Sequence, residues 1–113
     1  FNALVAVADG RLFGTVTGGG EPELFVFDPE TRTFTDRMPV PEGGPLDLGL
    51  QMGPDGKVYG FTSTCIYRLD RSTLKCEIVT SVEDGISVAG PILGSDIYFG
   101  TNHRLRAIGL FQG

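Results

Sequence analysis

With 113 residues, 41% of them hydrophobic and 20% charged, the chain is long enough for one domain and too apolar to be disordered by composition. A net charge of −5 and a pI near 4.6 argue against nucleic acid or an anionic membrane as the main partner, because both require a basic face; the acidity reads as an aid to solubility. No apolar run approaches the ~18 residues of a membrane helix, and Phe1-Asn2-Ala3-Leu4-Val5 lacks the basic start of a signal peptide, which leaves the compartment open.

Seventeen Gly and seven Pro without a period of three exclude collagen and point to many short strands joined by tight turns. The first apolar run is Leu4-Val5-Ala6-Val7, followed by the hairpin signal Asp9-Gly10 and a second run, Arg11-Leu12-Phe13-Gly14-Thr15. A glycine-rich loop, Gly18-Gly19-Gly20-Glu21, leads to Leu24-Phe25-Val26-Phe27-Asp28. Asp28-Pro29-Glu30-Thr31 suits a type I turn, with Pro presetting φ at its second position, and Thr33-Phe34-Thr35-Asp36 follows. A connection through Pro39-Val40-Pro41 and Gly43-Gly44-Pro45 then begins the series again.

The second series is Leu48-Gly49-Leu50-Gln51-Met52, Asp55-Gly56-Lys57-Val58-Tyr59-Gly60-Phe61, Ile66-Tyr67-Arg68-Leu69-Asp70 and Lys75-Cys76-Glu77-Ile78-Val79, with Asp70-Arg71-Ser72-Thr73 at the second turn. The third is Val88-Ala89-Gly90-Pro91-Ile92, Ser95-Asp96-Ile97-Tyr98-Phe99-Gly100-Thr101 and Leu105-Arg106-Ala107-Ile108-Gly109. Aligned without gaps, the second runs place Gly14, Gly60 and Gly100 at spacings of 46 and 40 residues, whereas the third runs are spaced by 42 and 39. These glycines are expected where neighbouring repeats pack closely.

Four short β runs in about 40–46 residues is the period of a propeller blade, and helical periodicity is absent. The expected fold is all-β, with β-propeller-like four-stranded antiparallel blades. The chain would hold about two and three-quarter of them: residues 1–44, 45–84 and an incomplete third at 85–113. Propellers typically have four to eight blades, so blade faces and a strand edge would be left open. Three completions are compatible with this: further blades of a longer chain, a homo-oligomer of several copies, or a closed sandwich that imitates blades.

The stretch Asp55-Gly56-Lys57-Val58-Tyr59-Gly60 with Ile66-Tyr67-Arg68-Leu69-Asp70, and the half-repeat Leu24-Phe25-Val26-Phe27-Asp28-Pro29-Glu30-Thr31, resembles blades of bacterial β-propeller repeat proteins. Gluconolactonase-like and lyase-associated propellers are among these. The resemblance covers nearly the whole chain and concerns blade architecture. There is no Trp for a WD signature and no paired-glycine kelch pattern. Such propellers host lactonases, lyases, carbohydrate-binding proteins and scaffolds, so fold does not choose a function. The resemblance therefore implies either a non-catalytic binding or scaffold module, with a glycan or protein ligand, or part of a propeller hydrolase or polysaccharide lyase whose catalytic residues lie in other blades.

No catalytic constellation stands out. His103 is the only His and has no identifiable orienting carboxylate; it reads as a solvated loop residue or a ligand contact. No cofactor motif is present: Thr17-Gly18-Gly19-Gly20-Glu21 lacks the Lys-Ser/Thr of a phosphate loop and reads as a flexible loop or flap. No metal-ligand spacing appears, although an axial carboxylate such as Asp47 or Glu21 could act with other blades, as some lactonase-like propellers arrange. Pairing Asp70 with Lys75 sets Leu69 opposite Cys76 and leaves Cys65 about 13 Å along the strand, beyond the ~7 Å of a disulfide. Two largely buried thiols are thus expected, mildly favouring a reducing compartment. The aligned aromatics Phe13, Tyr59 and Phe99, and Phe25 and Tyr67, read as packing between blades rather than as a sugar platform. The candidate ligand face is the loop side that carries Glu21, Asp47, Asn102, His103 and Arg104.

Overall fold

A computed structural model describes residues 1, 3–17, 22–41 and 49–110. Those residues form eleven strands and no helix: β1 (Ala3–Ala6), β2 (Leu12–Val16), β3 (Glu23–Asp28), β4 (Thr33–Pro39), β5 (Gln51–Met52), β6 (Val58–Phe61), β7 (Cys65–Leu69), β8 (Cys76–Ser81), β9 (Val88–Leu93), β10 (Asp96–Gly100) and β11 (Leu105–Gly109). They make three antiparallel meanders, β1-β2-β3-β4, β5-β6-β7-β8 and β9-β10-β11, and among the described residues no sheet closes on itself.

Turn chemistry repeats between the first two sheets. In the β1–β2 turn, the Val7 N–H donates to the Arg11 carbonyl and the Gly10 N–H to the Val7 carbonyl, both at 3.0 Å. In the β5–β6 turn, Gly53 and Gly56 make the same bonds to Lys57 and Gly53, at 2.9 and 3.0 Å. Gly10 (φ 93°) and Gly56 (φ 80°) take the left-handed position that closes a three-residue hairpin loop. The preceding Asp9 and Asp55 each accept the N–H two residues on, at 3.1 Å. The second hairpins are longer than a bare type I turn: Arg32 and Leu74, at φ 58° and 60°, donate back to the Asp28 and Asp70 carbonyls at 2.7 and 2.8 Å.

Pleat alternation distributes the core. One cluster joins Ala3, Phe13, Leu24 and Val26 of the first sheet to Val58, Tyr67 and Leu69 of the second. The other joins Tyr59, Phe61 and Ile66 of the second sheet to Ile97 and Phe99 of the third. The middle sheet is therefore buried on both sides. Its front, bearing Val58, Gly60, Tyr67 and Leu69, lies on the rear of the first sheet, and its rear lies on the third.

Registers define the structural repeat. Gly14 pairs with Phe25, Gly60 with Tyr67 and Phe99 with Arg106. In the first two pairs the ring covers the glycine, so a Cβ there would meet Phe25 or Tyr67. In the third the ring sits on the other strand, and the Arg106 guanidinium stacks 5.5 Å from the Phe99 centroid. The counterpart of Gly60 is thus Phe99, and the ungapped match of Gly100 with Gly60 is corrected by one residue. The cause is the β9–β10 turn. Leu93 pairs with Asp96 across a two-residue loop, one residue shorter than its counterparts, with Gly94 at φ 64°. A one-residue slip exchanges the two faces of a strand. With the shift made, each sheet lays its front on the rear of the sheet before it.

Polar links also tie the sheets. The Gln51 amide donates to the Gly90 carbonyl at 2.6 Å and accepts from the Ile92 N–H at 2.8 Å, acting as a strand residue beside β9. Arg11 donates to the Arg71 carbonyl at 3.2 Å, from the first sheet to the second. Leu69 pairs with Cys76 and Cys65 with Ser81, so the thiols are held apart; Cys65 is buried, Cys76 half-buried, and no disulfide joins them. Among the described residues, no helix is long and apolar enough to cross a membrane.

Candidate functional site

The β6–β7 and β10–β11 turns share one construction. Thr62 Oγ1 accepts the N–H groups of Thr64 and Cys65 at 3.1 and 2.9 Å. Thr101 Oγ1 accepts those of His103 and Arg104, both at 3.2 Å. A threonine hydroxyl reaching its own turn in this way fixes the loop without a bound group.

The connection from β8 to β9 runs between these turns and is bonded to both sides. Val82 and Ile86 donate to the carbonyls of Thr64 and Ser63 at 2.8 Å, and Ser87 donates to that of Gly100 at 2.9 Å. The result is a cavity of about 100 Å³ lined by Ser63, Asp84, Gly85, Ile86, Ser87 and Asn102. Arg104 reaches Asp84 at 3.8 Å, with both side chains largely exposed. A pair so placed contributes little to stability, so both groups remain available to a ligand.

Of the residues expected on the ligand face, Asn102, His103 and Arg104 stand together on this turn, and Asn102 lines the cavity. His103 is exposed. Glu21 and Asp47 lie outside the described residues. Asp84, on the connection from β8 to β9, joins them as the partner of Arg104 and is not among the residues that the sequence singles out. A cavity this small falls below the ~300 Å³ of an ordinary ligand pocket, so it suits one polar group of a larger ligand rather than a whole substrate. Among the described residues, no three His, Cys, Asp or Glu side chains gather as metal ligands would.

Two other features lie on the sheets. On the rear of the second sheet, Lys57, Arg68, Asp70, Thr73, Lys75 and Glu77 line a groove of about 180 Å³. Tyr59 Oη donates to Asp55 at 2.8 Å, while Arg68 is ion-paired with Glu77. Burial pushes the Tyr59 hydroxyl upward in pKa, and backbone N–H groups of Thr73 and Ser72 hold Asp70 below the usual carboxylate range. Within the groove Arg68 and Glu77 neutralise each other, and Asp70 is held by its own turn. On the front of the first sheet, Phe1, Leu4, Leu12, Phe25, Phe27 and Phe34 line an apolar hollow of about 220 Å³. Edge-to-face contacts at 5.5 and 5.3 Å seat Phe25 between Phe1 and Phe34. Packing between repeats, the expectation for the aligned aromatics, describes Tyr67 in the core but not Phe25: on the first sheet that face meets no other sheet among the described residues.

Comparison of the chain with protein-family models and with curated proteins returns no match.

Proposed function

We propose that the chain is a stretch of a β-propeller, about two and three-quarter blades, that serves as a non-catalytic binding or scaffold unit completed by further sheets of the same kind. The observation that supports this reading is the head-to-tail order. The rear of the first sheet packs on the front of the second, and the rear of the second on the front of the third. Repetition of one contact is how blades succeed one another around an axis. A glycan or protein ligand would meet the loop face at Asn102, His103, Arg104 and Asp84, where an exposed cation, an anion and an amide offer charged and neutral hydrogen bonds. The cavity beside them would take a single hydroxyl or carboxylate.

The test is a glycan array followed by binding measurements on the hits. Expected is binding that weakens tenfold or more in the His103→Ala/Arg104→Ala double variant with an unchanged unfolding midpoint. Binding indifferent to both substitutions would remove this face from the proposal.

A further inference from the structure

The described residues include seven large apolar side chains that stand exposed, and six of them fall on two surfaces. Phe1, Leu4 and Phe34, each more than half exposed, lie on the front of the first sheet around Phe25. Val88, Leu93 and Leu105, also more than half exposed, lie on the rear of the third. Their register shows the shared face: Leu93 is opposite Asp96, Val88 and Leu105 are opposite Gly100, and Tyr98 stands between them opposite Ala107. Scattered apolar residues need no explanation, but grouped ones do.

The two surfaces are not alike, and the fold already contains the contact each would make. The open front of the first sheet carries Leu12, Gly14, Phe25 and Phe27, in the register that Val58, Gly60, Tyr67 and Leu69 occupy on the second. That second set is buried against the rear of a sheet of this same repeat. The open rear of the third sheet is the surface such a front would cover. The first sheet thus presents the socket and the third sheet the plug.

We infer that the front of the first sheet seats the rear of the third sheet of a second copy of this chain, extending the internal stacking from one molecule to the next. The inference rests on the reading of the chain as an incomplete series of blades. It specifies a heterologous contact, in which different patches meet, rather than a two-fold contact of one patch with itself. Three sheets per chain place six in a closed pair, within the four to eight of closed propellers.

Sedimentation equilibrium of the 12.1 kDa chain over a wide concentration range tests this. The expected mass is a whole multiple of the chain, two or more. Phe34→Glu and Leu93→Glu should each give a monomer or an open, weaker species. Both positions are exposed, and circular dichroism with a cooperative melt checks that each variant is folded; Leu4→Glu and Leu105→Glu are substitutes on the same faces. An equimolar mixture of Phe34→Glu and Leu93→Glu should restore a two-chain species, because each variant keeps the face that the other has lost. A folded wild-type monomer throughout the range overturns the inference, and so does a Leu93→Glu variant that associates as well as the wild type, which would show the first sheet pairing with itself. Failure of the loop face to bind a ligand, measured on an associated chain, would count against the proposed function and leave this contact standing.

Discussion

Replacing Gly60 with Ala tests the account of how the first two sheets meet. Gly60 faces Tyr67 across β6 and β7, and a Cβ there would collide with the tyrosine ring and hydroxyl. The ring is buried between two sheets and has nowhere to swing. Overpacking of this kind costs about 1–3 kcal/mol. Loss of unfolded-state freedom on changing Gly to Ala returns about 0.4–1 kcal/mol, which leaves a net loss of up to about 2.6 kcal/mol, centred on about 1.3 kcal/mol. For a domain whose whole stability is about 5–15 kcal/mol, that is a readily measured part. In a Tyr67→Leu background the shorter side chain vacates the space, so the same Gly60→Ala change should become neutral or stabilising. Urea unfolding of the four proteins, with similar m-values throughout, gives the coupling energy directly. Equal cost of Gly60→Ala in both backgrounds, or a cost below about 0.5 kcal/mol in the wild type, would refute the argument.

Two further outcomes are expected. Gln51→Ala leaves the Gly90 carbonyl and the Ile92 N–H without the partner that now bridges sheets two and three, at a cost of about 1–3 kcal/mol; amide exchange at Ile92 should accelerate while that of the first sheet does not change. Alkali should destabilise the fold. Burial pushes the Cys76 thiol from 9.0 up to about 11 and raises the Tyr67 hydroxyl further above its ordinary range. Both groups favour their neutral forms when folded, so their contribution is complete below the unfolded values and is lost as pH climbs from about 9 through 11 and beyond. Urea midpoints taken from about pH 8 upward should fall, and fall less in Cys76→Val; a flat profile would contradict the assignment.

Much of the architecture was legible because its punctuation is local. Asp-Gly at 9–10 and 55–56, and Asp at 28 and 70, mark turns whose hydrogen bonds involve only their own neighbours. Pairing Leu69 with Cys76 followed from one such turn and kept the thiols apart. The third repeat misled for an equally local reason: its shorter turn at Gly94 shifts β10 by one residue, so a match on glycines aligned opposite faces. The unequal spacings of 40 and 39 residues in adjacent strands held that signal. What strand patterning does not encode is which face has a neighbour. Phe25 and Tyr67 are equivalent by sequence, yet one lines an open hollow and the other a core. The site was half legible for a related reason. Asn102 to Arg104 announce themselves as a turn, whereas Asp84 arrives beside Arg104 only because the β8–β9 connection is bonded to the two turns flanking it.

The two-sided middle sheet has a consequence for building arrays from this chain. Residues 49–81 are the stretch in which both faces already satisfy a neighbour, with Tyr67 filling one interface and Tyr59 and Phe61 the other. The first and third repeats have each solved only half of that problem within the described residues. A tandem array would therefore be copied from the middle unit, with the Gln51 amide kept as the clasp between successive copies and the flanking units reserved as end caps.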